Sequence, residues 1–411
     1  APAAPRGLGK GAGAPAGPGP TGTEALEDVS LLLGLSQELR AQLLDLDPKL
    51  SGKHDTRDKK RKNKEMKHNI IDSAYSAVPE ANKIRLFQRV KTQAVALSVH
   101  ELGGLVVTSI FRRGTERQMH ELVTVLAPEV VNLAKNSEGT RVVQAAVENV
   151  RKADRQLLLE ALMEESKIMQ VIGNPNAVFL IRSCLSLVVK GQMPPEWVNP
   201  IIKTVKDRIK EIVDNKKTLQ FSYKLILWVV ECGHCVQAFK EAKSRILGFC
   251  SKTAKSLIDT KYGNILLRYA LQLGSAEHQE RIFEVALESL REVHDKRWYA
   301  SHVIDMCADL VKEDRVKEDL RSMFMQTVIR NLQDANGQEE SPFQRMFRSS
   351  NGKRTARRVY ECVAEEYQAI MRNQVPGIEN EELVKGAASF DSTLFKNDDG
   401  DGADEDGHDA D

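Results

Sequence analysis

The residues of this chain best placed for chemistry of recognition lie in Asn136 to Val150, NSEGTRVVQAAVENV. Set on a helix, Thr140 and Gln144 are four apart and share a face, with Arg141 beside them. A hydroxyl and a carboxamide about 6 Å apart can grip the polar edge of a flat ligand between them. Val143, Val147 and Val150 fall on a second, apolar face and are expected in a core. Gly139 is read as the residue just before the helix, where one helix ends and the next begins within a few residues, so that Thr140 opens the new helix. Motifs for bond-making chemistry are missing: the sequence holds no Gly-rich phosphate loop, no His-Glu-x-x-His and no nucleophile elbow. The expectation is a binding protein and not an enzyme.

Looser copies of this stretch recur along the chain. Aligned on the small residue, they centre on Gly103 (VHELGGLVVTSIF), Gly139, Asn176 (GNPNAVFLIRSCL), Ser222 (LQFSYKLILWVV), Gly263 (DTKYGNILLRYAL) and Ala300 (KRWYASHVIDMCA). The intervals are 36, 37, 46, 41 and 37 residues, and a weaker seventh copy, SSNGKRTARRVYECV around Gly352, follows after 52, with room for an inserted loop. A period in the high thirties built only of helix-like patterns signals an α-helical solenoid. A first helix precedes each signature stretch and a third follows it, as in Glu116 to Leu126, Lys152 to Leu162 and Glu277 to Val293. Three helices per unit predict an all-α, right-handed α-α superhelix of about seven repeats, of armadillo type.

TKYGNILLRYAL, NSEGTRVVQAAV and RWYASHVIDMC resemble the signature helix of Pumilio-family (PUF) repeats, and the resemblance runs from about Lys83 to Glu366. A HEAT-like helical array that binds proteins is the alternative. The Pumilio resemblance implies that the signature helices line one concave wall that binds single-stranded RNA, one unpaired base per repeat. It further implies base-edge pairs at Thr140 with Gln144, Asn264 with Arg268, and Ser301 with Asp305. The stacking positions are then Arg141, Ile265 and His302. By the family's pattern Thr140 with Gln144 resembles an adenine reader, and Ser301 with Asp305 resembles a guanine reader whose acid is one methylene shorter. Asn264 keeps half of a uracil pattern, with Arg268 in place of its Gln. Gly104 with Thr108, Ala177 with Ile181 and Tyr223 with Leu227 offer few or no groups for a base edge, which resembles the degenerate, nucleolar Pumilio-like proteins. The function implied is post-transcriptional control of mRNA translation or stability through 3′ untranslated regions, with ribosomal RNA processing as the alternative. Protein partners would sit on the convex face of a monomer. The location expected is the cytoplasm, with the nucleus or nucleolus as the alternative.

The rest of the chain is ordinary for a globular protein of 411 residues, with 41% hydrophobic, 28% charged and only 5% aromatic residues. No apolar run approaches the roughly 20 residues that span a bilayer, so no membrane role is expected. Residues 1–22 are almost all Ala, Pro and Gly and read as a disordered lead. Thr23 to Asp47 reads as one amphipathic helix with Thr23 as N-cap and a stripe of Leu32, Leu35, Leu39, Leu43 and Leu46. It would either cap the solenoid or bind a partner.

Residues 48–68 read as a basic linker, with eight basic and three acidic groups between 51 and 68, suited to a nuclear-import address, an RNA-anchoring arm or a plain solvated tether. The repeat domain is placed at 69–375. Residues 376–411 read as a disordered tail whose last fourteen residues carry eight acids, in a chain of net charge +1. The six cysteines show no disulfide-framework spacing, which favours a reducing compartment. Cys232-Gly-His-Cys235 lacks a second ligand pair, so neither a metal nor any other cofactor is expected.

Overall fold

The computed structural model describes residues 33–46, 57–164, 166–290, 298–333 and 340–380, and every regular element among them is helical. The Ala/Pro/Gly lead, the Leu-rich stretch before residue 33 and the tail from residue 381 lie outside these residues, whereas 376–380, expected in a disordered tail, are packed on the fold, with Ile378 0% exposed and its carbonyl accepting from Arg357 at 3.0 Å.

Eight helices form the rows that matter here. They are α1 (Arg57–Ala77), α2 (Glu101–Arg113), α3 (Ser137–Asn149), α4 (Pro175–Val189), α5 (Lys216–Cys235), α6 (Gly263–Leu273), α7 (Trp298–Lys312) and α8 (Ser350–Cys362). All seven sequence copies map onto α2 to α8, one copy per helix. Most are preceded by a short helix, such as Ala94–Ser98, Val130–Lys135, Ile168–Ile172 or Pro342–Arg348. Each is followed, directly or after a short 3-10 turn, by a longer one, and Glu116–Leu126 and Lys152–Leu162 start and stop as the sequence predicts. The helix predicted over Glu277 to Val293 is observed as Ala276–Ser289.

The chain divides into two compact units. One takes the chain up to Glu129 and again from Asn136 to Arg155, the other takes Val130–Lys135 and everything from Gln156. In the first, α1, α2 and α3 lie side by side; in the second, α4 to α8 do so in chain order. The apolar backs of these helices make the cores. Val142, Val143, Ala146 and Val147 of α3 are buried in the first unit, and Leu266, Leu267, Ala270 and Leu271 of α6 in the second.

The basic stretch departs from the sequence reading. From Arg57 it is not a linker but the start of α1, so the row of packed helices begins twelve residues before Asn69. Ile71 and Tyr75 of α1 are buried, and Lys67, 2% exposed, donates to Glu101 at the head of α2 at 2.8 Å. Asp72 pairs with Arg113 at the foot of α2, so α1 and α2 run parallel and α1 extends the first row by one helix. Its Lys-rich composition hid the spacing of its few apolar anchors.

The Leu-rich stretch departs too. Gly34 takes a left-handed φ of +61°, which breaks the helix expected to run unbroken from Thr23. A shorter helix, Gln37–Asp45, starts afresh where the Ser36 hydroxyl accepts from the Leu39 N–H at 3.3 Å.

Candidate nucleic-acid interface

Several of the signature helices begin in the same way, and that start fixes which side chains follow the small residue. In α3 the Asn136 side chain accepts from the N–H groups of Glu138 and Gly139, both at 2.9 Å, and the Asn136 carbonyl accepts from Thr140 N–H. The helix therefore starts at Ser137, and Gly139 lies inside its first turn, not ahead of it. Thr260 does the same for Gly263 and Asn264, and Ser349 for Gly352 and Lys353. Three residues separate cap from small residue, and the edge position follows directly.

Applied to α4, this rule moves the register by one. Asn174 is the cap, Pro175 takes the first helical turn, and Val178 N–H reaches the Asn174 carbonyl. The residue equivalent to Gly139 is thus Ala177, not Asn176. The outward positions are Val178, Phe179 and Arg182 instead of Ala177, Val178 and Ile181. Burial agrees for the second and third of these: Phe179 and Arg182 are half-buried, whereas Val178, at 1% exposed, is sealed in the core like Ala177 and Ile181. The Asn174-Pro175 pair, a cap followed by a first-turn proline, is the signal in the sequence that marks this start.

Thr140, Arg141 and Gln144 are brought together on one face of α3. Thr140 is 5% exposed and Gln144 half-buried, its amide donating to Glu148 of its own helix at 3.0 Å. Arg141 donates to Glu138 at 3.2 Å, and Lys64 of α1 reaches the same carboxylate at 3.2 Å. Burial, and then Glu101 nearby, push the Glu138 carboxyl up to about 7, against the pull of Lys67 and His100. The raised value means that the folded protein holds this proton where the unfolded chain has released it. Glu138 therefore adds stability below its unfolded pKa, and that stability is lost as pH rises through about 7. Urea melts of Glu138→Gln should lose this downward slope between the ordinary Glu range and neutrality, and the variant should gain on the parent above pH 7. An unchanged slope would contradict the assignment.

In the second unit the α6 residues Asn264, Ile265 and Arg268 share the outward face. The Asn264 amide donates to the carbonyls of Thr260 and Lys261 at 3.0 and 2.6 Å, so it seals the helix start and is only 3% exposed. Arg268 is half-buried, and burial together with Arg354 and Arg358 holds its guanidinium below its usual value despite Asp305. Between α4 and α5 the aromatic and cationic side chains interleave. Lys224 lies over the Phe179 ring at 5.6 Å and Arg182 over the Trp228 ring at 5.4 Å. Further along, Tyr223 stacks on Tyr262 at 4.7 Å.

Ser301, His302 and Asp305 also come together on α7, but they are occupied by the protein itself. Arg354 Nε donates to Asp305 Oδ2 at 2.8 Å, and Thr355 Oγ1 donates to Asp305 Oδ1 at 2.7 Å. The acid expected to meet a guanine edge meets a neighbouring helix instead. Burial raises the Asp305 carboxyl against the pull of both partners.

Cys232 and Cys235 do not converge. Cys232 is buried with Sγ 3.8 Å from the Leu185 carbonyl, and burial pushes its thiol far up, while Cys235 is exposed. Among the described residues no cluster of His, Cys, Asp and Glu could hold a metal ion, and no helix is long and apolar enough to cross a membrane.

Solved structures share this arrangement of helices. PUF-8 in complex with PBE-RNA superposes with a TM-score of 0.58 at 18% identity, covering 75% of this chain and 83% of its own. The Puf3 RNA-binding domain bound to the Cox17 RNA 3′ UTR recognition site A gives 0.57 at 17% identity, covering 85% and 92%. In sequence, a Pumilio domain-containing protein of Schizosaccharomyces pombe is 21% identical over 264 residues, 61% of this chain and 36% of the relative. A putative pumilio homologue of Arabidopsis thaliana is 21% identical over 241 residues, 56% of this chain and 41% of the relative. The chain thus spans well under half the length of these relatives. No family model matches the sequence. The fold is that of the PUF helical-repeat solenoids. In sequence the chain is similar to Pumilio-domain proteins, and in fold to PUF RNA-binding domains, in line with the resemblance in its signature helices.

Proposed function

We propose that the protein binds single-stranded RNA on the outward face of its signature helices and acts in post-transcriptional control of mRNA, on translation or stability. The observation that carries this reading is the interleaving of flat and cationic side chains on neighbouring helices: Phe179 and Arg182 on α4, Tyr223 and Lys224 on α5, Arg268 on α6. Flat side chains stack on bases of any identity, while Lys and Arg neutralise phosphates. PUF-8 and Puf3 carry RNA in their solved structures, which supports the same ligand here. The protein acts as a monomer on this reading and works in the cytoplasm, with protein partners on the opposite face of the helices.

A second reading, ribosomal RNA processing in the nucleus or nucleolus, draws on a specific observation. Several edge positions are apolar or internally bonded, as at Val178, Asn264 and Asp305, which suits RNA held with little sequence preference.

Crosslinking the protein to RNA in cells and sequencing the bound fragments separates the readings. Mostly 3′ untranslated fragments support the first and mostly pre-ribosomal fragments the second. No enrichment over a mock sample overturns RNA binding and leaves a protein-binding solenoid. In vitro, Phe179→Ala should weaken RNA binding by about 1–3 kcal/mol, the usual loss for a stacking side chain. Undiminished affinity would remove Phe179 from the interface.

A further inference from the structure

We propose that Arg354 is a specificity-determining residue: it stands in for a guanine edge inside the Ser301, His302 and Asp305 cluster and makes the sixth copy a repeat that reads no base. The inference rests on the RNA-binding reading above and states what one repeat contributes to it.

Arg354 lies on α8, two residues after Gly352, which is the stacking position of the seventh copy. Its guanidinium reaches all three members of the cluster on α7. Nε donates to Asp305 Oδ2 at 2.8 Å, while Nη2 lies 2.8 Å from His302 Nδ1 and 3.4 Å from Ser301 Oγ. A guanine edge would present two adjacent N–H donors to this cluster. The guanidinium presents two adjacent N–H donors on a flat frame as well, and it adds a permanent positive charge.

A neutral base edge is the weaker competitor. Charge-assisted bonds to a carboxylate are roughly twice as strong as neutral ones. With Thr355 on the other oxygen, neither oxygen of Asp305 lacks a donor. A base that displaced Arg354 would have to enter a cluster in which Ser301 is 0% and Asp305 7% exposed. His302 suits the arrangement, since burial and then Arg354 hold its ring neutral, with a pKa of about 4, so Nδ1 can accept.

The two helices also leave Arg354 little freedom to swing away. One turn further along, Arg358 pairs with Asp309. Beyond it Lys312 donates to Glu361 at 2.7 Å, and Cys362 Sγ donates to the Ala308 carbonyl at 3.0 Å. This ladder ties α7 to α8 along the length over which Arg354 would have to move.

The test selects from a randomised single-stranded RNA pool with the full chain and three variants, Asp305→Asn, Arg354→Ala and the two combined. The parent should bind RNA with no base preference at the position facing the sixth copy. Asp305→Asn should return the parent's preference at every position, because Asn can still accept from Arg354. Arg354→Ala should gain a preference for guanine at that one position of about tenfold, the scale of a bidentate base contact, and the double variant should lose it again. A parent that already selects guanine there and loses it on Asp305→Asn overturns the proposal. So does a folded Arg354→Ala that gains no guanine preference. Should Arg354→Ala fail to fold, the Asp305→Asn result decides alone. A parent that retains no RNA at all defeats the RNA-binding reading itself, a distinct outcome from binding without the expected change.

Discussion

Gly263→Ala should lower the stability of the second unit by about 1–3 kcal/mol, the range for forcing an atom into a filled site. A Cβ at Gly263 would sit 2.3 Å from the Leu257 carbonyl oxygen and 2.3 Å from Thr260 Oγ1. Neither atom can retreat cheaply. The first is the backbone of the short helix Ala254–Leu257, and the second accepts the Gly263 N–H and donates to that same carbonyl at 2.9 Å. The backbone φ at Gly263 lies outside the left-handed region, so the cost is one of close approach and not of conformation. Gly248→Ala is the control. It lies within the helix Lys240–Lys252, and its added Cβ would meet nothing closer than His278 Nε2 at 3.4 Å. The better helix propensity of Ala should then raise stability by about 0.5–1 kcal/mol. Urea denaturation of the two variants should move the midpoint in opposite directions, and a shift of the same sign in both would contradict the packing account.

Phe283→Ala should cost about 3–5 kcal/mol, the range for emptying a buried aromatic site. Phe283 and Phe324 are both 0% exposed and meet edge-on, with ring centroids 6.5 Å apart and planes at 67°. They join the helices Ala276–Ser289 and Glu318–Gln333, which follow α6 and α7 in the chain. Thermal melts of Phe283→Ala and Phe283→Leu measure the effect. Leu restores most of the volume and should recover more than half of the loss, whereas equal losses would mean that the ring geometry and not the filled space carries the energy.

The glycine result shows why the repeat was legible. In three copies the last turn of a short helix packs a carbonyl against the start of the signature helix, so a residue with no side chain recurs at that point. Gly103, Gly263 and Gly352 would each bring a Cβ within 2.6 Å of such a carbonyl. What stayed hidden was of three kinds. The register of α4 slipped by one because Asn176, two residues past the true cap Asn174, looked like the small residue. The helix α1 was masked by its own lysines, since Lys67 is buried through its pairing with Glu101 and not by apolar character.

The third kind is the hold of Arg354 on Ser301, His302 and Asp305. It joins residues 49 to 53 positions apart, and no local pattern announces it. Sequence placed these side chains on one face of one helix correctly. Which partner satisfies them is decided by the neighbouring helix.

The central claim is that the outward faces of these helices bind single-stranded RNA through phosphates and stacked bases. It is tested most directly by fluorescence anisotropy of a labelled, randomised single-stranded RNA titrated with the full chain over a series of salt concentrations. The account predicts saturable binding in which the logarithm of affinity falls linearly with the logarithm of salt, by about 0.7 for each phosphate neutralised. Removing residues 398–411, which carry eight acids, should tighten binding at low salt if that segment competes for the basic positions. Absence of binding at the lowest salt, or an affinity indifferent to salt, would contradict the account.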